Sequence, residues 1–179
     1  MSAWDLIGKA NATKNGTPFA PGTHGEATIL ALRQFTSNNG DGEVLVIEAA
    51  IEKSEAKSAK YVKDMSTGET ADVVTQAVGT QVSVLYMLTK HKAAPGAAKA
   101  ALLAILGLDE ATLKPEEWGQ AVELAKKDSG VALRGIRVKF DVHTKMTKAA
   151  KKTIHPVTFA HIEQTDAEID AAAKKYPVS

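Results

Sequence analysis

Apolar and polar residues alternate with a period of two in several separate stretches of the chain, and each such stretch reads as a half-buried β-strand. The first is Glu26 to Phe35, where Ile29, Ala31, Arg33 and Phe35 oppose Leu30 and Leu32. The second is Glu43 to Lys53, with Leu45, Ile47, Ala49 and Ile51 on one face. Between them, Ser37-Asn38-Asn39-Gly40-Asp41-Gly42 is rich in residues that tolerate positive φ, so the two strands are expected to form a hairpin. A long polar connection, Ser54 to Gly79, precedes a third strand, Thr80 to Lys90, in which Val82, Val84, Tyr86 and Leu88 oppose Ser83, Leu85, Met87 and Thr89. A connection of that length is either functional or without fixed structure. The fourth strand opens at Arg134. Arg134, Ile136, Val138, Phe140 and Val142 fall on one side, and Arg137, Lys139, Asp141 and His143 on the other. A polar loop, Lys145 to Lys152, then leads to a return strand, Ile154 to Ile162.

The period changes to that of a helix in two places between the third and fourth strands. Pro95-Gly96 opens a run in which Lys99, Leu102, Leu103 and Leu106 share a face, and Gly107 ends it. After Pro115, residues Trp118, Ala121, Val122 and Ala125 recur at helical spacing; Lys126 and Lys127 complement the C-terminal dipole and Ser129-Gly130 stops the run. Near the end of the chain, Thr165 and Glu168 form a capping box before Ile169, Ala172, Ala173 and Tyr176, which predicts a short terminal helix.

Three strands, helices, two strands and a helix is the element order of a mainly β protein with a helical insert, specifically a five-stranded OB-fold-like Greek-key barrel. An immunoglobulin-like sandwich needs more strands, a βαβ fold needs helices after most strands, and no internal repeat suggests a solenoid. The expected organisation is an irregular N-terminal arm over 1–25, an OB-fold-like domain over 26–163, and a C-terminal helix and tail over 164–179.

Composition narrows the setting. The chain has 179 residues, 44% hydrophobic and 24% charged, which suits one globular domain with a real core. With no cysteine there is no disulfide framework and no thiolate metal site, as suits a reducing compartment. No apolar run approaches the ~20 residues of a membrane span. The start, MSAWDLIGKANATKNG, lacks the apolar core of a signal peptide, so the Asn11 sequon carries no weight and the expected compartment is the cytoplasm.

Charge changes the picture more. Net charge is only +1, yet Arg134 to Lys152 carries seven basic residues against one acid, Asp141. Such concentration points to a polyphosphate partner. Binding single strands needs cations along a groove and flat faces for base stacking. In an OB-fold the groove crosses strands 2 and 3, between the first hairpin loop and the loop joining strands 4 and 5. The candidate cations are Arg33, Lys53, Lys57, Lys60, Lys63, Arg137, Lys139, Lys145, Lys148, Lys151 and Lys152, and the candidate stacking faces are Phe35, Tyr61 and Tyr86. Phe140 and, in part, Tyr86 also fit the core by their strand face, and Trp118 fits as the anchor of its helix. His143, His155 and His161 lie on the last two strands without the carboxylate or third ligand of a metal site. Neither GxxxxGK[ST] nor GxGxxG occurs. Neither a metal, another cofactor nor an enzymatic activity is expected.

The chain resembles the OB-fold single-stranded DNA-binding proteins of tailed bacteriophages. The likeness spans roughly Gly25 to Glu163: the hairpin GEATILALRQF…EVLVIEAAIEKS, the glycine before the third strand in VGTQVSVLYMLTK, the intervening helices, and RGIRVKFDVHTK before the last strand. It implies sequence-tolerant binding of single-stranded DNA in phage replication, recombination or repair, inside the host cytoplasm. Replication or recombination proteins are the expected partners; a homo-oligomer is an open alternative, and no membrane is involved. One departure is the ending KKYPVS, where many such proteins carry an acidic tail. The alternative reading is a phage structural or adaptor protein that uses its β-barrel for assembly.

Overall fold

The computed structural model describes residues 17–37 and 42–176. Residues 38–41 of the turn expected from Ser37 to Gly42, the sequon and most of the N-terminal arm, and the last three residues lie outside them. The protein is mainly β. Strands β1 (Thr23–Ser37), β2 (Gly42–Ala56), β5 (Gln81–Met87), β6 (Arg137–Val142) and β9 (Val157–His161) form one antiparallel sheet in the order β5-β2-β1-β6-β9. Two small hairpins accompany it, β3 (Lys60–Asp64) with β4 (Glu69–Asp72) and β7 (Lys145–Met146) with β8 (Thr153–Ile154). The helices are α1 (Ala94–Leu106), α2 (Pro115–Lys126), which runs into a 3-10 turn over Lys127–Leu133, and α3 (Asp166–Lys175). No helix among the described residues is long and apolar enough to cross a membrane.

Alternation places the core as expected on β2, β5 and β6. Leu45, Ile47, Ala49, Ile51, Val82, Tyr86, Val138, Phe140 and Val142 are all buried in one cluster. On β1 the expected faces fail. Ile29 pairs with Ala49 and Leu32 with Ile47, so both point inward although three residues apart. A register shift between Ile29 and Ala31 inserts one residue and resets the alternation. Arg33 keeps to the outer face, opposite Val46.

The expected position of the helices, between the third and fourth strands, is not matched. The connection read as a loop itself supplies β3 and β4, so α1 and α2 follow the fifth strand and precede the sixth. These short strands have no apolar face, which is why alternation missed them. Among the described residues the sheet is not closed into the expected barrel, since β5 and β9 are its two edges. Helix α1 packs against both edges. Thr17 reaches one of them, accepting a hydrogen bond from the Ser83 amide at 2.9 Å. Two residues on, the Phe19 ring lies 4.8 Å from Phe140 and 5.8 Å from Phe159, near the other edge. Phe19 is only 2% exposed. The segment from Thr17 to Phe19 and a helix therefore join the edges where a barrel would have a ladder. Phe19 falls in the stretch read as an irregular arm, and β1 begins inside it at Thr23.

The terminal helix docks on the sheet by polar contacts, having no buried residue of its own. Its capping box is as read from the sequence: Glu168 N–H donates to Thr165 Oγ1 at 3.3 Å, and Thr165 N–H to Glu168 Oε2 at 2.7 Å. Glu52 on β2 accepts from Thr28 Oγ1 (2.7 Å), Lys175 Nζ (2.7 Å) and Tyr176 OH (3.0 Å). Burial pushes the Glu52 carboxyl up, but these three donors outweigh it and hold it below the usual carboxylate range. At the other end, Gly135 (φ 91°) lets α3 approach so closely that a Cβ would lie 2.2 Å from the Ile169 carbonyl oxygen.

Candidate nucleic-acid interface

Within the basic segment, burial of Val138, Phe140 and Val142 on β6 turns Arg137, Lys139 and Asp141 outward. Beyond β6, the His143 amide donates to Pro156 O at 2.9 Å, and the chain then leaves the sheet. Lys145 pairs with Ile154 and Met146 with Thr153, which is the whole β7–β8 ladder. Thr147 N–H donates to Lys152 O (2.9 Å) and Lys152 N–H to Thr147 Oγ1 (3.1 Å), closing a turn in which Lys151 takes φ 47°. Lys145, Lys148, Lys151 and Lys152 are all exposed on this hairpin.

The fourteen expected site residues fall into distinct groups. Lys139 and the four hairpin lysines have no acidic partner among the described residues, whereas the other cations are paired. Arg33 holds Glu48 through Nε at 3.2 Å, Lys53 holds Glu55 at 3.1 Å, Lys60 holds Asp72 at 3.5 Å and Lys63 holds Glu69 at 3.2 Å. Arg137 pairs with Glu26, and Lys57 with Asp141. A paired cation must leave its carboxylate before it can neutralise a phosphate, so the unpaired lysines dominate the local field.

Among the aromatics, Tyr86 is corrected from a stacking face to a core residue. It is 7% exposed and packs in the central cluster, and burial raises its phenol well above the ordinary value. Phe140 is likewise core, and Trp118 packs against the core under Lys99. Phe35 is half-buried near the end of β1, opposite Val44. Tyr61, on β3, is half-buried and meets His155 edge to face, with ring centroids 5.3 Å apart. His155 is further held by a 3.2 Å contact between Nδ1 and Thr144 Oγ1. Burial pushes its pKa below the usual imidazole value, against a smaller opposing backbone hydrogen bond at His143. Both the partial burial and this direction favour the neutral ring.

The segment that starts just before β3 makes two further contacts, one with the end of β6 and one with the basic hairpin. Lys57 Nζ donates to Val142 O at 2.7 Å as well as to Asp141, and Met65 N–H donates to Thr153 Oγ1 at 2.8 Å. Met65, Thr153 and His155 were outside the sequence-derived site, since nothing periodic marks residues that meet only across two hairpins. His143 contacts Thr158 Oγ1 at 2.8 Å and His161 contacts Ala104 O at 3.2 Å, so the three histidines of the last strands have separate partners. No group of three metal-ligating residues occurs among the described residues. Comparison with protein-family models, with curated proteins and with solved structures finds no match to this chain.

Proposed function

We propose that this chain binds single-stranded DNA with little sequence preference, as a phage-type OB-fold protein of replication, recombination or repair. The carrying observation is the hairpin between the last two strands of the main sheet, whose four lysines lack acidic partners among the described residues. Strand order supports the fold assignment: β5-β2-β1-β6-β9 is the order of a Greek-key barrel opened between its third and fifth strands. The basic hairpin then corresponds to one of the two loops that border an OB groove. The mechanism is neutralisation of phosphates by lysine with release of counterions. Aromatic stacking contributes less, because Tyr86 is buried and Tyr61 is engaged by His155.

Fluorescence anisotropy with labelled oligo-dT and a duplex of equal length, across a salt series, tests the reading. Binding should favour the single strand and weaken steeply with salt; equal affinity for duplex, or indifference to salt, refutes it. A structural or adaptor role is the second reading. It draws on Val74 and Val78, which are 72% and 64% exposed in the segment after β4. That role predicts no oligonucleotide binding.

A further inference from the structure

On its own the basic hairpin is marginal. Its ladder is two residue pairs long, and two-stranded hairpins are marginal in water even when longer. Its lysines also repel one another. Support from outside the hairpin holds it in place, and the segment from Lys57 through the β3–β4 hairpin makes contact where that support is needed. Lys57 spans Asp141 and Val142 O at the point where the chain leaves β6. The Tyr61 ring backs His155, one residue beyond β8. Met65 N–H caps Thr153 within β8. The support is itself anchored to the sheet. Lys57 N–H donates to Gly22 O at 2.9 Å, and a Cβ on Gly22 would lie only 3.0 Å from Tyr61 Cβ, so Tyr61 stands wedged between the start of β1 and His155.

We infer that Lys57 and Tyr61 are positioning residues that fix the Lys145–Lys152 hairpin for its ligand, rather than groups that touch that ligand. The inference rests on the proposed single-strand binding. Ordering the lysines during folding removes that cost from the binding step. Lys57 already satisfies a carboxylate and a carbonyl, and Tyr61 presents its ring to His155, so both are committed before any strand arrives.

The test uses the full chain with Lys57→Met, Tyr61→Leu, the two combined, and Tyr61→Phe. Amide hydrogen exchange at Thr147 and Lys152 reports the hairpin, and the Ile29 and Ile51 amides, bonded to Ile136 O and Thr80 O, report the sheet. In the double variant the hairpin amides should exchange about two- to tenfold faster with the sheet unchanged, the scale of one lost aromatic pair. Oligo-dT affinity should fall by a similar factor with the salt slope intact, because every hairpin lysine remains. Tyr61→Phe should match the parent, since the ring makes the contact. Unchanged hairpin exchange overturns the inference, as does faster exchange with unchanged affinity. A salt slope reduced by about 0.7 in Lys57→Met would make Lys57 a phosphate ligand and overturn it too. Loss equal to Tyr61→Leu in Tyr61→Phe rules out the ring contact. Should the parent fail to bind oligo-dT at all, the single-strand reading falls instead, while the exchange data still decide whether the support exists.

Discussion

Replacing Lys145, Lys148, Lys151 and Lys152 together by Gln removes four of the five candidate-site cations that have no acidic partner among the described residues, leaving Lys139. For a single strand, log K falls with log salt at a slope of about −0.7 for each phosphate neutralised. Five contacts give a slope of about −3.5 for the parent, and one contact leaves about −0.7 for the variant. At 0.1 M salt each lost contact costs about fivefold in affinity, so four cost roughly 600-fold, or ~4 kcal/mol. The two proteins should converge near 1 M salt. Folding stability should move little, because exposed lysines away from caps and core each contribute within about 0.5 kcal/mol. Anisotropy titrations with oligo-dT at four or five salt concentrations measure both slopes, and a thermal melt checks the fold. A folded variant that keeps the parental slope refutes the counterion mechanism, however much its affinity has changed.

Other outcomes follow from the same geometry. Arg33→Met and Lys63→Met, which remove cations already paired with Glu48 and Glu69, should each change oligo-dT affinity by less than about threefold and leave the slope nearly unchanged. Phe19→Ala should cost ~3–5 kcal/mol in a denaturant titration, because the ring is 2% exposed between Phe140 and Phe159. In Gly135→Ala the left-handed φ costs about 1–3 kcal/mol, and the 2.2 Å approach to Ile169 O must also open; protection of α3 amides should be lost first. The Glu52 contacts fix the sign of a pH effect. Because its folded pKa is lowered, the stability it contributes is complete above its unfolded value near 4.5 and is lost as pH falls through the lower folded value. Lys175 is raised, mainly by its hydrogen bond to Glu52, so its share holds below 10.5 and fades as pH climbs through the higher folded value. Between pH 5 and 3 the melting temperature of Glu52→Gln should therefore fall less than that of the parent; equal falls would exclude Glu52 from the acid limb.

The sheet was legible in the sequence wherever alternate apolar residues mark the core face of a strand, as on β2, β5 and β6. It was illegible where a bulge reset the alternation, since Ile29 and Leu32 share a face that period-two counting denies them. The β3–β4 hairpin carried no apolar stripe, because its partners are Gly22, His155 and Thr153 rather than the core. Phe19 was hidden by its Gly- and Pro-rich surroundings, which read as irregular whether or not one residue plugs a gap. At the candidate site, the sequence identified the cations but not their pairing. Lys63 finds Glu69 six residues away, yet Lys57 finds Asp141 on a strand 84 residues further on. Which lysines remain unpaired is thus a property of the fold.

The central place of β1 also governs how the chain can be assembled. Its partner on one side, β2, follows at once, so the hairpin can form locally as the chain emerges. Its partner on the other side is β6, and the Glu26–Arg137 pair that spans them joins residues 111 apart. Until that length has been synthesised, β1 presents an open backbone edge and an uncovered row of Ala27, Ile29 and Leu32. A native state so rich in remote pairings folds slowly, because distant segments must meet before most contacts are gained. The nascent chain is therefore most prone to aggregate during translation of the helices, after its first hairpin exists and before β6 can cover it.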